Sequence, residues 1–190
     1  KYEEVVSQTN KALDIFPNQA YLYYAAGYGL YRKKNFDEAL ELLHQALIMT
    51  GKNNLQKISV YNVLGLVYDE LGQPDKSVEA FETALSINPR SAETLSQYSL
   101  VLSRRIEQSE KAITMAEKVL TDGTQTAIVH QWIAEVFYNQ KKFDKAKQSI
   151  EIALKQGTDP YGYNLAGDIL IATGETDEAL EMWQIAMNRG

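Results

Sequence analysis

The chain has 190 residues, 45% hydrophobic and 23% charged, enough apolar material for one domain or a short array and too little charge for a disordered tail. Lys plus Arg number 19 against 25 Asp plus Glu, a net charge of -6, which argues against nucleic acid as a partner. With no cysteine there is no disulfide, thiolate nucleophile or Cys-ligated zinc, and no apolar run approaches the ~18 residues of a membrane span.

The first residues, Lys1-Tyr2-Glu3-Glu4-Val5-Val6, lack the basic and apolar stretches of a signal peptide and read as amphipathic helix, so the chain is expected to begin inside a longer protein. Apolar spacing is helical throughout. Gly27 is followed by Phe36-Asp37-Glu38-Ala39-Leu40, and Tyr61-x-x-Leu64-Gly65-x-x-Tyr68 by Ala80-Phe81, Ala84 and Asn88-Pro89. Further on come Tyr98-Ser99, Phe143-Asp144-Lys145-Ala146, and Ala166-Gly167 with Asp177-Glu178-Ala179-Leu180 and Trp183. Ala12, Ala46, Ala84, Val119, Ala153 and Ala186 are separated by 34, 38, 35, 34 and 33 residues, a period of about 34. The 38-residue step carries four extra residues around Lys52 to Lys57, about one helical turn.

This pattern resembles the tetratricopeptide repeat (TPR) family, and the resemblance covers essentially the whole chain. It implies an all-α fold, a right-handed superhelical solenoid of antiparallel helix pairs, each a helix A, a turn and a helix B. On that alignment a helix-B remnant at 1–17 precedes repeats at 20–51, 58–91, 92–123, 127–158 and 160–190, forming one array. The 92–123 unit departs from the pattern at Tyr98-Ser99 and needs an extra turn residue near Arg104 to Ser109. The closing run from Gly167 to Trp183 is similar to the final repeats of larger bacterial TPR proteins, many of them exported. That likeness implies the periplasmic side of a bacterial envelope rather than the cytoplasm.

The residues give the same arrangement a physical reason. Tyr61, Leu64, Gly65 and Tyr68 form one stripe on helix A facing helix B. Gly27, Gly65, Ala134 and Gly167 let the two backbones approach while Phe81, Ile150 and Trp183 fill the space between. Turns such as Leu71-Gly72-Gln73-Pro74-Asp75 are expected to end helix A with Gly and open helix B with a polar cap, and Asp159-Pro160 to open the last helix A.

Opposite the packing stripe, positions 2, 5, 9 and 12 of each helix A line the expected concave groove. In the first full repeat these are Tyr21, Tyr24, Tyr28 and Tyr31, large amphipathic rings suited to recognition. Later repeats supply Ser59, Asn62, Leu66 and Asp69, then Glu93, Ser96, Leu100 and Ser103, then Ile128, Gln131, Glu135 and Tyr138, then Tyr161, Asn164, Asp168 and Ile171. Asn62, Gln131 and Asn164 each offer a donor and an acceptor to a peptide backbone. With position 13 included, acids (Asp69, Glu70, Glu93, Glu135, Asp168) exceed bases (Arg32, Arg104), which favours a neutral to basic protein or peptide segment. No window carries the cations of the carboxylate clamp by which some TPR proteins hold chaperone tails.

Catalytic chemistry is not encoded. His44 and His130 fall on different repeats with no His-x-x-x-His spacing for a metal. The glycine spacing of Gly162 to Gly167 ends in Asp168 where a phosphate-binding loop needs Lys. Asp37-Glu38 and Asp177-Glu178 stand at helix starts, where they favour the dipole. The expectation is a non-catalytic protein-interaction scaffold without cofactor or metal. Its alternatives are a module that self-associates end to end through exposed helices near Trp183, Ala186, Met187 and Gly190, or the regulatory arm of a larger enzyme.

Overall fold

The structure, a computed structural model, describes residues 2–121 and 125–189. Lys1, residues 122 and 123 at the end of the repeat expected at 92–123, and Gly190 at the end of the last repeat lie outside the described residues. The described residues are all-α. They form two compact units, Lys1–Thr94 and Leu95–Gly190.

In the first unit α1 (Tyr2–Ile15), α2 (Ala20–Arg32), α3 (Phe36–Thr50), α4 (Asn54–Glu70) and α5 (Pro74–Ile87) follow one another, and α6 (Ala92–Ser103) begins. Helix α2 packs on α1, α3 and α4, and α4 packs on α5. Here α2 and α4 are A helices, α3 and α5 B helices. The four extra residues of the 38-residue step are accommodated by α4, which has 17 residues against 13 for α2. In the second unit α6 leads through a 3₁₀ turn, Ile106–Gln108, to α7 (Ser109–Thr121), α8 (Ala127–Asn139), α9 (Phe143–Gln156), α10 (Pro160–Thr173) and α11 (Thr176–Arg189). That 3₁₀ turn, closed by Gln108 N–H donating to Arg105 O, holds the irregular stretch between Arg104 and Ser109.

Three of the pairs, α2 with α3, α4 with α5 and α10 with α11, are joined at a point of closest approach where helix A has no side chain. A Cβ on Gly65 would stand 2.6 Å from the Phe81 ring and one on Gly27 2.9 Å from Leu43, while one on Gly167 would strike the Trp183 indole. Phe81 and Leu43 are fully buried, and burying a side chain of that size stabilises by about 1.5–3 kcal/mol. That offsets the roughly 1 kcal/mol which glycine costs inside a helix. One contact escaped the sequence reading. The Ser77 hydroxyl, buried at the start of α5, donates to the Gly65 carbonyl at 2.7 Å and pins the register of α5 against α4.

Tyr98, which stands where the family has Leu, is buried, and its ring lies 5.0 Å from the Lys111 ammonium. Lys111 Nζ also donates to its hydroxyl at 3.1 Å, so the larger residue brings no orphaned polar atom.

Apart from the 3₁₀ turn between α6 and α7, the turns from helix A to helix B share one backbone device. Lys34, Gly72, Lys141 and Gly174 occupy equivalent places and all have positive φ, +62°, +68°, +56° and +89°. Glycine adopts this conformation freely, whereas for a side-chain-bearing residue it costs about 1–2 kcal/mol. The polar caps expected to open the B helices make no side-chain bond at Asn35, Gln73 or Lys142. Asp159, by contrast, accepts from Gly162 N–H at 3.0 Å. Pro74 needs no cap at its own nitrogen, because the first turn leaves that donor unused.

Two outcomes follow from this packing. Gly65→Ala should cost about 1–3 kcal/mol through overpacking against Phe81, with partial recovery in the Gly65→Ala, Phe81→Leu double variant, read by urea unfolding. Lys141→Gly should stabilise by up to about 1 kcal/mol, the relieved strain being partly offset by added chain entropy, and calorimetry would register a rise in Tm.

Candidate functional site

In the first unit the four tyrosines of α2 form a continuous ladder. Ring centroids are 6.5 Å apart for Tyr21 and Tyr24, 6.3 Å for Tyr24 and Tyr28, and 6.2 Å for Tyr28 and Tyr31. Spacing of 3, 4 and 3 residues along a helix puts them on one face. The middle pair stacks with its planes 15° apart. Phe36, the first residue of α3, adds a fifth ring 6.2 Å beyond Tyr31. The sequence reading missed it, although its place just past the turn was a usable signal. Tyr21 is exposed, whereas Tyr24, Tyr28 and Tyr31 lean partly on the core cluster that includes Leu30, Leu43 and Val63.

Glu93, in the first turn of α6, acts electrostatically on Tyr24. Burial, then Glu93, then the neighbouring tyrosines push the Tyr24 hydroxyl up to about 12, and burial raises the Glu93 carboxyl above the ordinary carboxylate range. At the Ala20 end of the ladder a hollow of about 200 Å³ opens among Tyr21, Tyr24, Leu55, Gln56, Ser59 and Val60. Further along, Arg32 donates to the Tyr28 hydroxyl at 3.1 Å. Asp69 is half-buried on α4.

The expected amide at Asn62 requires correction. Its side chain is 1% exposed, and neither amide atom has a hydrogen-bond partner. Helical periodicity assigned Asn62 to the outer face without showing how completely that face is covered. Ser96, Leu100 and Ser103 are buried as well.

In the second unit Gln131 is likewise buried rather than presented. Its Oε1 accepts a hydrogen bond from the Thr158 hydroxyl. Gly162 permits that closure, since a Cβ there would collide with Thr158 and stand 2.6 Å from Gln131 Oε1. Thr158, in the turn before α10, was not foreseen; the glycine opposite was its only trace in the sequence.

Glu135 is the chemical centre of this face. It accepts a hydrogen bond from Tyr161 and lies 3.9 Å from Arg104. Desolvation outweighs both partners and holds its carboxyl above the ordinary range. Burial and Glu135 together raise the Tyr161 hydroxyl, with Asp168 adding to the rise. Tyr138 packs on Phe143, ring centroids 5.8 Å apart, while Asn164 and Asp168 are exposed on α10.

His44 and His130 take separate roles. His44 is exposed, with Nε2 3.2 Å from the Tyr68 hydroxyl. His130 is buried, its Nδ1 unpartnered and its pKa lowered by burial.

Paired helices of this length, glycine at the closest approach and a 34-residue period all belong to one architecture. Family profiles described as "Tetratricopeptide repeat" and "Tetratricopeptide repeat-like domain" match residues 18–90 and 98–190. The chain belongs to the TPR family. It is similar to a thermophilic TPR protein of Thermus thermophilus, with a TM-score of 0.74, 22% identity and coverage of 90% of this chain and 92% of that one. A TPR protein from Parabacteroides merdae aligns with a TM-score of 0.74 at 16% identity, over 100% of this chain and 72% of that one. Both likenesses concern the fold. Among curated proteins, the photosystem I assembly protein Ycf3 of Prochlorococcus marinus (strain MIT 9301) is 27% identical over 93 residues, 49% of this chain and 53% of that protein. The match thus spans about half the length of the curated relative.

Because the folded state holds the Glu135 proton more tightly than the unfolded chain does, its ionised form costs stability at neutral pH. That cost disappears as pH falls through the folded pKa. Glu135→Gln should therefore raise Tm at about pH 7 and make progressively less difference toward about pH 4, in parallel thermal melts.

Proposed function

We propose that this TPR chain is a non-catalytic scaffold that holds an extended or helical segment of a partner protein along the outer faces of its A helices. The observation that carries this reading is the tyrosine ladder of α2. Four rings on one face supply large contact area at low entropic cost, and each hydroxyl adds a polar handle. Tyr21 is exposed and takes no part in the closest approach of α2 to α3, which Gly27 and Leu43 make.

Charge supports a neutral to basic segment. Glu93 beside Tyr24 and Glu135 beside Tyr161 are carboxylates set among rings, and a partner cation would restore the stabilisation that burial removes from these two. The similarity to a protein named for photosystem I assembly agrees with a role in bringing other proteins together.

A second reading, self-association through α11, is favoured by the exposure of Leu180 at 58% and Met187 at 70%. Light scattering across a concentration series separates the two, since only self-association makes the mass rise with concentration.

The direct test is selection of a displayed random peptide library on the chain and on Tyr21→Ala and Tyr28→Ala variants with unchanged circular dichroism. Tyr21 is exposed, so its loss leaves the core intact. Enriched peptides should bind both variants at least about tenfold more weakly, a change of about 1.4 kcal/mol. Equal binding by the parent and both variants would refute the ladder as the site.

A further inference from the structure

The two units contain the same cleft twice, on the side of the helix pairs formed by B helices, and the copies differ in one decisive pair. In the first unit a cavity of about 400 Å³ lies over α4 between α3 and α5, its walls including His44, Leu47, Tyr68, Lys76, Glu79 and Thr83. In the second unit a cavity of about 190 Å³ lies over α8 between α7 and α9, lined by Glu117, Leu120, Phe137, Lys145, Gln148, Ser149 and Ile152. Tyr68, Lys76, Glu79, Ala80 and Thr83 each recur 69 positions later as Phe137, Lys145, Gln148, Ser149 and Ile152, while His44 and Leu47 correspond to Glu117 and Leu120. The lysines are placed alike, Lys76 Nζ 5.5 Å from the Tyr68 ring centre and Lys145 Nζ 5.6 Å from that of Phe137.

What closes one cleft is absent from the other. Lys145 donates to Glu117 Oε1 at 2.6 Å, tying α9 to α7 across the opening. At the position of Glu117 the first unit has His44, which is bonded to the Tyr68 hydroxyl instead. Among the described residues Lys76 makes no ion pair, and its ammonium faces the Tyr68 ring. An ammonium held over an aromatic face beside an apolar floor of Leu47, Leu64 and Ala80 therefore lacks the carboxylate that its counterpart possesses.

We infer that the open cleft between α3 and α5 is a second protein-docking site, which accepts an acidic side chain of a partner in the place that Glu117 fills in the closed cleft, with an adjoining apolar side chain on the Leu47, Leu64 and Ala80 floor. The site is independent of the tyrosine ladder and of the reading built on it. Lys76 supplies the charge-assisted contact and the apolar floor supplies the burial. Glu79, on the next turn after Lys76, repels a second carboxylate, so the site prefers one acid flanked by apolar residues over an acidic run.

The experiment uses the full 190-residue chain, ¹⁵N-labelled and titrated with the capped tripeptide acetyl-Leu-Glu-Leu-amide and with its Gln counterpart. Saturable shifts are expected at Leu47, Tyr68 and Ala80 but not at Leu120, Phe137 or Ser149. The Gln peptide should bind at least about fivefold more weakly, as loss of a charge-assisted contact implies. Lys76→Gln should remove the preference for Glu. His44→Glu, which rebuilds the bridge of the second unit on an exposed position, should abolish binding while leaving the spectrum folded. Glu117→His should make the second cleft responsive to the same peptide. Absence of saturable shifts, equal affinity for the Glu and Gln peptides, or full binding by the His44→Glu variant would each overturn the proposal.

Discussion

The close approach of each helix A to its helix B is the constraint from which the rest of this structure is built. It requires one helix to present almost nothing at the crossing and the other to fill the gap. The chain meets that need with Gly27 against Leu43, Gly65 against Phe81 and Gly167 against Trp183. Helix backbones brought this near leave few alternatives in rotation, and the buried bond from Ser77 to the Gly65 carbonyl removes more. Once the inner faces are committed, the outer face of every helix A is fixed in direction. Those of its residues that stay exposed, such as Tyr21, Asn164 and Asp168, are then free to vary without loss of the pair.

That freedom is used differently in the two units. On α2 it produces a row of rings, continued by Phe36 across the turn. On α8 and α10 it produces a desolvated carboxylate, Glu135, with Tyr161 bonded to it and Arg104 at 3.9 Å. The first surface is suited to shape and dispersion, the second to charge and hydrogen-bond matching. The B helices differ in the same way: Glu117 on α7 is bridged to Lys145, whereas His44 at the matching place on α3 bonds the Tyr68 hydroxyl, for which the second unit has Phe137.

The architecture was largely legible because its signals are local and repeated. Glycine or alanine on helix A, a large residue on helix B and a recurring interval each follow from the crossing geometry, and several copies reinforce one another. Tyr21, Tyr24, Tyr28 and Tyr31 were legible as one face for the same reason, since spacing along a helix fixes azimuth. Azimuth does not fix burial. Asn62 and Gln131 share the helical position of Tyr24, yet both are closed off, Gln131 by a threonine 27 residues away that no periodicity links to it. The left-handed turns at Lys34 and Lys141 were not legible, because lysine gives no warning of positive φ where glycine does. The electrostatic setting of Glu135 depends on Arg104 and Tyr161, which lie outside its own helix, and only three-dimensional placement assembles the three.

The ladder also divides the chain optically. Trp132 and Trp183 both belong to the unit spanning Leu95–Gly190, while the rings of Tyr21, Tyr24, Tyr28 and Tyr31 stand in a unit with no tryptophan. Emission excited at the red edge of the absorption band thus reports on one unit alone, and tyrosine emission is dominated by the other. In a repeat array, where stability is a sum of local terms and neighbour couplings, the native side chains therefore serve as two separate reporters of melting, and the order in which the two halves come apart can be followed in unlabelled protein.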